Sequence, residues 1–445
     1  MNRENALSVS RREFVKTSAA AVAVGTLATP ILAHAGGSDR IKIGLIGCGG
    51  RGTGAAVQAL RADPGVVLWS MGDVFRDRLD ACHENLRGAM AKLDEEESEG
   101  SARWRDRIEA SDERRFLGFD AYKQVIDSGV DAVLLTSYPC FRPREIAYAV
   151  ERGKHAFAEK PVAVDGPGLR SVLASAEDAR RRNLGLLVGF CWRYNAGMRA
   201  CFEQVNGGAL GRVTTVHTTY HTGTLPRRPR QEGWSDLEFQ MRNWWHFTWV
   251  SGDHIVEQAV HSVDRTAWAM GDVPPARVTC LGGRAARSGP EHGNVFDHFA
   301  AVYEYEDGRR AFHTCRQIDH CPGDNTDYVY GTEGSAIVNG WAPTYVVKGL
   351  DGAERWRFRG PIKDMYQVEH DDLFASIRSG KPINDCSRGA NSTLMAIMAR
   401  MAAYTGQTVS WEQAINSQES LMPATLEWGD LPTPPVAVPG QTKLI

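Results

Sequence analysis

The run Ile41–Gly54 (IKIGLIGCGGRGTG) constrains this chain most: an apolar strand, Lys42–Ile46, enters Gly47-Cys48-Gly49-Gly50-Arg51-Gly52 and then helical spacing over Thr53–Leu60. That is a G-x-G-x-x-G with a strand before it and a helix after it. Gly47 permits the tight turn, Gly49 lets the backbone approach a pyrophosphate, and Gly52 lets the helix sit against the sheet. The helix N-terminus presents free N–H groups and a positive dipole end to the phosphates. A second apolar strand, Val66–Met71, is followed by Asp73, where an acid would hold the adenosine ribose hydroxyls. A carboxylate there repels a 2′-phosphate and favours NAD; Arg76 nearby keeps NADP possible. Asp73 has a second reading, as N-cap of a helix starting near Arg76.

Further βα alternation follows: Asp131–Thr136 as strand, Ala147–Arg152 as helix and His155–Glu159 as strand, which predicts a parallel sheet with helices on both faces. The charge-dense stretch Asp80–Arg115 reads as a solvated helical excursion. Beyond Pro161 the pattern changes to helix, strand and helix, then to β-rich runs at Val213–Tyr220, Arg277–Cys280, His298–Tyr305 and Arg310–Gln317. These fit an antiparallel sheet with one covered face, and His370–Tyr404 returns to helix. The expected division is a signal at 1–35, a dinucleotide-binding domain at 40–162, a C-terminal α/β substrate and oligomerisation domain at 163–425 and an extended tail at 426–445.

The N-terminus carries Arg11-Arg12, an Ala/Val-rich stretch from Ser18 to Leu32, and Ala33-His34-Ala35. A basic start, an apolar middle and an A-x-A end make an export signal, and the paired arginines resemble the twin-arginine type. The expectation is a periplasmic or exported protein, membrane-anchored only if the signal stays uncut, with no stable span in the remainder. The formal charge of -3 gives no reason to expect a nucleic-acid partner. Nine cysteines without a CxxC pair form no disulfide framework, and His313, Cys315, His320 and Cys321 lack zinc spacing, so no metal is expected.

His155-Ala156-Phe157-Ala158-Glu159-Lys160-Pro161 puts a lysine at the carboxyl end of a parallel strand, the edge at which such sheets bind ligands. On these motifs the chain resembles the glucose–fructose oxidoreductase and inositol dehydrogenase group (Gfo/Idh/MocA). The residues that carry the likeness are Ile43-Gly44-Leu45-Ile46-Gly47, Val130-Asp131-Ala132-Val133, Gly153-Lys154-His155 with Glu159-Lys160-Pro161, Gly189-Phe190 with Arg193-Tyr194, and Gly208 with Leu210-Gly211-Arg212-Val213. The resemblance implies a Rossmann domain, a C-terminal domain with a large open and mostly antiparallel sheet, a cleft between them, and a homodimer or homotetramer. It assigns the catalytic lysine to Lys160 and implies cofactor contacts at Gly50, Arg51, Ser137, Pro139, Glu159 and Arg193 beside Gly47, Gly49, Gly52, Asp73 and Lys160. The family's histidine after the proline turn has Arg142 in its place here.

Glu257, His261 and Asp264 are spaced four and three apart and would share one helical face, downstream of a cap at Asp253. A carboxylate beside an imidazole raises its basicity, so His261 becomes the candidate base and Glu257 its partner, standing where the family usually has aspartate. Asn243–Trp249 holds three tryptophans that would either line a sugar site or fill core. Three functions are expected in order: an exported NAD(P)-dependent oxidoreductase acting on a carbohydrate or polyol by hydride transfer; a redox-neutral, NAD-dependent glycoside-cleaving enzyme with retained cofactor; and a non-catalytic nucleotide-binding sensor, against which Lys160 and His261 both count.

Overall fold

The computed structural model describes residues 39–96 and 103–445, so the proposed export signal lies outside the described residues. Six strands form the first sheet: β1 (Ile41–Ile46), β2 (Val66–Asp73), β3 (Arg115–Leu117), β4 (Ala132–Leu135), β5 (His155–Ala158) and β6 (Leu186–Val188). Their order is β3-β2-β1-β4-β5-β6 and every pairing is parallel. The order reverses beside β1, the point at which doubly wound sheets open a crevice for dinucleotides. Each strand is nearly continuous apolar sequence because both faces are covered by helices.

The second sheet holds β7 (Val213–Thr222), β8 (Arg277–Gly283), β9 (His298–Glu304), β10 (Arg310–Gln317), β11 (Thr326–Gly331), β12 (Gly334–Asn339), β13 (Thr344–Gly349), β14 (Glu354–Arg357) and β15 (Val409–Ser410). Their order is β14-β13-β12-β11-β7-β10-β9-β8-β15, antiparallel except for the central β7–β10 pair. Helices Val260–Ala269 and Cys386–Thr405 cover one face, tied by Thr218 Oγ1 to Thr266 Oγ1 at 3.0 Å and by the Tyr303 hydroxyl donating to the Met395 carbonyl at 3.0 Å. The other face is bare and carries Leu281, Phe312, Tyr328 and Tyr330, with His217 stacked on Tyr328.

Two expected boundaries move. The first sheet does not close at residue 162, because β6 pairs with β5 from beyond the Glu-Lys-Pro turn. Helix Met365–Arg378 also returns to the first domain: Glu369 reaches Arg51, Gln367 donates to the Gln58 carbonyl, and Arg378 pairs with Asp63. A boundary drawn from composition cannot see such crossings, since the apolar face they bury lies far away in sequence. Residues 426–445 lack regular structure but are docked. Trp428 packs on Phe75 and Phe119 (ring centroids 5.6 and 4.9 Å), and Leu431 donates its N–H to Asp236.

Of the charged stretch Asp80–Arg115, the first part lies in helix Arg76–Glu96, seated by Leu79, Cys82, Leu86 and Met90, and the part described from residue 103 forms the 3-10 turns Trp104–Arg107 and Asp112–Arg114 and reaches β3. His313 is buried and bonded to Thr218, Cys315 is buried and Cys321 is exposed, and among the described residues no three metal-ligating side chains converge. Among the described residues no helix is long and apolar enough to cross a membrane.

Candidate active site

β1 delivers its backbone into the glycine turn, and Gly47 takes φ +92° there, a conformation that L side chains avoid. A Cβ on Gly47 would lie 2.4 Å from the Ser137 nitrogen, and one on Gly52 would lie 2.0 Å from the Gly47 carbonyl oxygen. Those two glycines are required by the protein itself. Gly49 and Gly50 differ: a Cβ there would meet no atom within 4 Å, because both border an open cleft. Helix Gly50–Ala62 has no side-chain cap and no acid in its first turn, so its leading N–H groups face that space unclaimed. An uncapped helix end opening on a cavity is a fit for a pyrophosphate.

Asp73 closes the turn from the side. One carboxylate oxygen accepts the Cys48 N–H at 2.6 Å and the other the Phe75 N–H at 2.9 Å. Its carboxylate thus holds the glycine turn and does not cap helix Arg76–Glu96. Burial pushes its pKa upward, against the lowering effect of these N–H donors and of Arg78. The basic neighbour also changes. Arg76 points to Asp80 and is exposed, whereas Arg78 lines the cleft.

The cleft has a volume of about 540 Å³ and joins the glycine turn to residues of both domains. Gly47, Gly49, Gly50, Arg51, Gly52, Asp73, Ser137, Glu159, Lys160, Glu257 and His261 all line it. Lys160 stands at the end of β5, where its Nζ donates to the Glu257 carbonyl oxygen at 2.7 Å and lies 3.3 Å from Glu257 Oε1. Glu257 Oε2 is buried with no partner, and so is His261 Nδ1. Glu257 and His261 line the cleft together with Lys160, so polar side chains from both domains converge there, as a hydroxyl-rich ligand would require.

The acid–base stripe needs correction. Glu257 ends a short helix, His254–Glu257, capped by Asp253 as expected, and His261 begins another, Val260–Ala269, so the chain bends between them. Glu257 is therefore turned to Lys160 and makes no hydrogen bond to His261. The His261 pKa is not raised; burial pushes it well down, and Lys160 and Arg265 add to this. The imidazole is held neutral, which leaves it a lone pair with which to take a proton.

Arg193 and Pro139 do not line the cleft. Arg193 is buried and fully committed, chelated by Asp264 at 2.8–3.0 Å and bound to Asp272. Asp264, the third member of the expected stripe, is spent on this pair and on Ser392. Removing one partner would leave a buried charge uncompensated, at a cost of about 3–5 kcal/mol. Pro139 is buried and starts the 3-10 turn Pro139–Phe141, where its fixed φ is useful. Arg51 and Glu159 reach the cleft wall but bind each other, and Arg51 also contacts Glu369 at 3.2 Å. Burial acts upward on Glu159, but Arg51, Lys160 and Arg142 together hold it below its usual range. Arg142 braces the floor by donating to the Ser137 and Pro161 carbonyls, both at 2.7 Å.

The sequence reading missed Glu145. It lines the cleft, accepts the Ser137 hydroxyl at 2.5 Å, and is pushed up by burial to about 7. Glu145 lies three residues after Arg142 on helix Arg142–Glu151, and this spacing was the available signal. Trp244 and Trp245 also line the cleft, with ring centroids 4.9 Å apart, whereas Trp249 is buried and donates to Gln240 Oε1 at 2.7 Å, so the aromatic run serves both site and core.

Residues 198–337 match the model of the GFO/IDH/MocA C-terminal domain. The chain is 29% identical over 182 residues to inositol 2-dehydrogenase 3 of Saccharopolyspora erythraea, covering 41% of this chain and 46% of that protein. It is 23% identical over 182 residues to 2,7-anhydro-N-acetylneuraminate hydratase of Escherichia coli, covering 41% and 44%. The chain thus spans under half the length of these relatives. Its fold matches that of levoglucosan dehydrogenase in complex with NADH and levoglucosan, with TM-score 0.63, 18% identity, and coverage of 83% of this chain and 99% of that one. Two domains, a 3-2-1-4-5-6 parallel sheet and a mostly antiparallel second sheet define a dinucleotide-fold protein with an interdomain cleft. Over residues 198–337 the chain is similar to the GFO/IDH/MocA C-terminal domain, and its two-domain fold is that of the solved dehydrogenase.

Proposed function

We propose that this protein is a nicotinamide-dependent oxidoreductase that acts on a carbohydrate or polyol between its two domains. The observation that carries the reading is the convergence of the open glycine turn, Lys160 and neutral His261 on one cleft. The names of the relatives, inositol dehydrogenase and levoglucosan dehydrogenase, support a polyhydroxylated substrate.

Gly49, Gly50 and the first N–H groups of helix Gly50–Ala62 would hold the pyrophosphate of the cofactor, and Asp73 the adenosine ribose. The carboxylate favours NAD over NADP, with Arg78 as the residue that would tolerate a 2′-phosphate. When bound, the nicotinamide supplies a hydride acceptor. His261 takes the proton of the substrate hydroxyl, and the Lys160 ammonium stabilises the negative charge that develops on that oxygen. Glu257 orients Lys160 through its carbonyl and carboxylate. Arg193 and Asp264 keep helix Val260–Ala269 in place behind His261.

A second reading, redox-neutral cleavage with a retained cofactor, is supported by the likeness to a protein named as a hydratase. The paired arginines at Arg11-Arg12 favour export of a folded, cofactor-loaded protein by either reading. The bare face of the second sheet favours a homodimer or homotetramer.

Mass spectrometry of the purified protein, followed by a sugar and polyol panel monitored at the nicotinamide absorbance, tests the reading. Bound NAD reduced by a panel member supports it, and turnover with no net absorbance change supports the second reading. Protein that neither retains nor binds a nicotinamide nucleotide overturns both.

A further inference from the structure

A second groove, of about 790 Å³, opens on the surface of the C-terminal domain beside the catalytic cleft and is lined by Pro226, Arg227, Arg228, Phe239, Glu291 and Asp319 among others. Arg228 lines this groove and the catalytic cleft alike, so the two spaces meet at its side chain. Its backbone is fixed there: its N–H donates to Asn243 Oδ1 at 2.7 Å and its carbonyl accepts from Asn243 Nδ2 at 3.1 Å. Asn243 is fully buried and directly precedes Trp244 and Trp245 of the cleft wall. The neighbouring cations are already used. Arg227 is engaged by His292 and Glu291, and Arg230 by Asp236. The Arg228 guanidinium has no hydrogen-bond or ion-pair partner among the described residues, although it stands at the junction.

We propose that the groove around Arg228 is a substrate-extension site, so that the protein acts on the end of a carbohydrate longer than one ring that bears a singly charged anionic substituent. The proposal rests on the reading of the cleft as a sugar site. Continuity argues for length: the groove opens from the cleft at Arg228, so an occupant of the cleft can extend into it. The charge argues for one anion. Glu291 and Asp236 are neutralised by their arginines, Asp319 on the groove wall disfavours a polyanion, and one planar guanidinium remains to take a carboxylate or sulfate ester by two parallel hydrogen bonds.

Binding of glucose, glucuronate, cellobiose, cellobiouronate and cellobiose 6′-sulfate is measured by calorimetry on the cofactor-loaded protein, for wild type, Arg228→Gln and Arg228→Lys. Turnover is followed in parallel at the nicotinamide. An anionic disaccharide is expected to bind at least ~10-fold tighter than cellobiose and than glucuronate. Arg228→Gln should erase that preference and Arg228→Lys should restore part of it. Comparison of the uronate with the sulfate identifies the anion. The proposal is overturned if Arg228→Gln binds every probe as wild type does, or if glucuronate binds as tightly as cellobiouronate. Arg228-dependent binding without turnover would uphold the groove and sink the dehydrogenase reading; turnover of monosaccharides with no preference for the anionic disaccharides would do the reverse.

Discussion

Lys160 Nζ lies 2.7 Å from the Glu257 carbonyl oxygen and 3.3 Å from its carboxylate, so a residue at the end of the first sheet is held by a helix terminus of the second domain. The ammonium sits at the boundary between the halves of the cleft, and its position depends on both.

On the proposed function, Lys160→Met should remove the charge that would stabilise the reacting oxygen while leaving the glycine turn intact. Turnover is expected to fall by about 10²-fold or more, with nucleotide still bound. Steady-state kinetics alongside nucleotide titration decides it, and a variant that turns over normally removes Lys160 from the mechanism.

The glycines of the turn should separate into two kinds. Gly52→Ala drives a Cβ into the Gly47 carbonyl and should cost about 3 kcal/mol or more of stability. Gly49→Ala meets nothing in the protein, so its unfolding midpoint without nucleotide should match wild type. Its nucleotide affinity should drop at least ~10-fold, because the new methyl occupies the phosphate's place. Equal loss of stability in the two variants would contradict this division.

Glu145 should leave a signature in the pH dependence of stability. Its pKa rises from the ordinary 4.5 to about 7 on folding, so the folded state binds the proton more tightly. The stability it contributes is fully present below pH 4.5 and is lost as pH rises through about 7. Glu145→Gln should flatten that slope in denaturant titrations at about pH 5 and about pH 8. An unchanged slope would mean that another group is responsible.

The bare sheet face should be an interface between copies. Leu281 is 74% exposed on β8, one strand in from the β15 edge, and Leu281→Arg places a charge on that face. Analytical ultracentrifugation is expected to show the assembly shift to monomer. A wild-type protein that already sediments as a monomer ends this reading.

Replacing Arg11 and Arg12 together by lysine should leave the protein in the cytoplasm if the twin-arginine route carries it. Fractionation of cells expressing both forms gives the answer, and unchanged export would rule that route out.

The parts of the site visible in the sequence are those whose chemistry is local. Gly47 and Gly52 are demanded by backbone geometry within a few residues, Asp73 by the end of β2, and Lys160 by the end of β5. What was misread depends on distant contacts. Arg193 looks the same on paper whether it meets a cofactor or Asp264 and Asp272, and only the packing of helix Val260–Ala269 decides between them. The Glu257–His261 spacing predicted one helical face, but the chain bends between the two residues and Glu257 turns to Lys160, an interaction 97 residues distant in sequence. Glu145 is unremarkable as a helical glutamate until burial shifts its proton affinity. β6 was assigned to the wrong side of the boundary because its partner, β5, precedes an intervening helix.

Trp428 rests on Phe75 and Phe119, beside the acid that holds the glycine turn. Residues far apart in sequence thus meet behind this corner of the cleft. Proteolytic trimming ahead of residue 426 would strip the cover from two aromatic rings while leaving β1 to β6 paired, so its first sign would be new apolar surface beside the glycine turn and only later loss of the sheet.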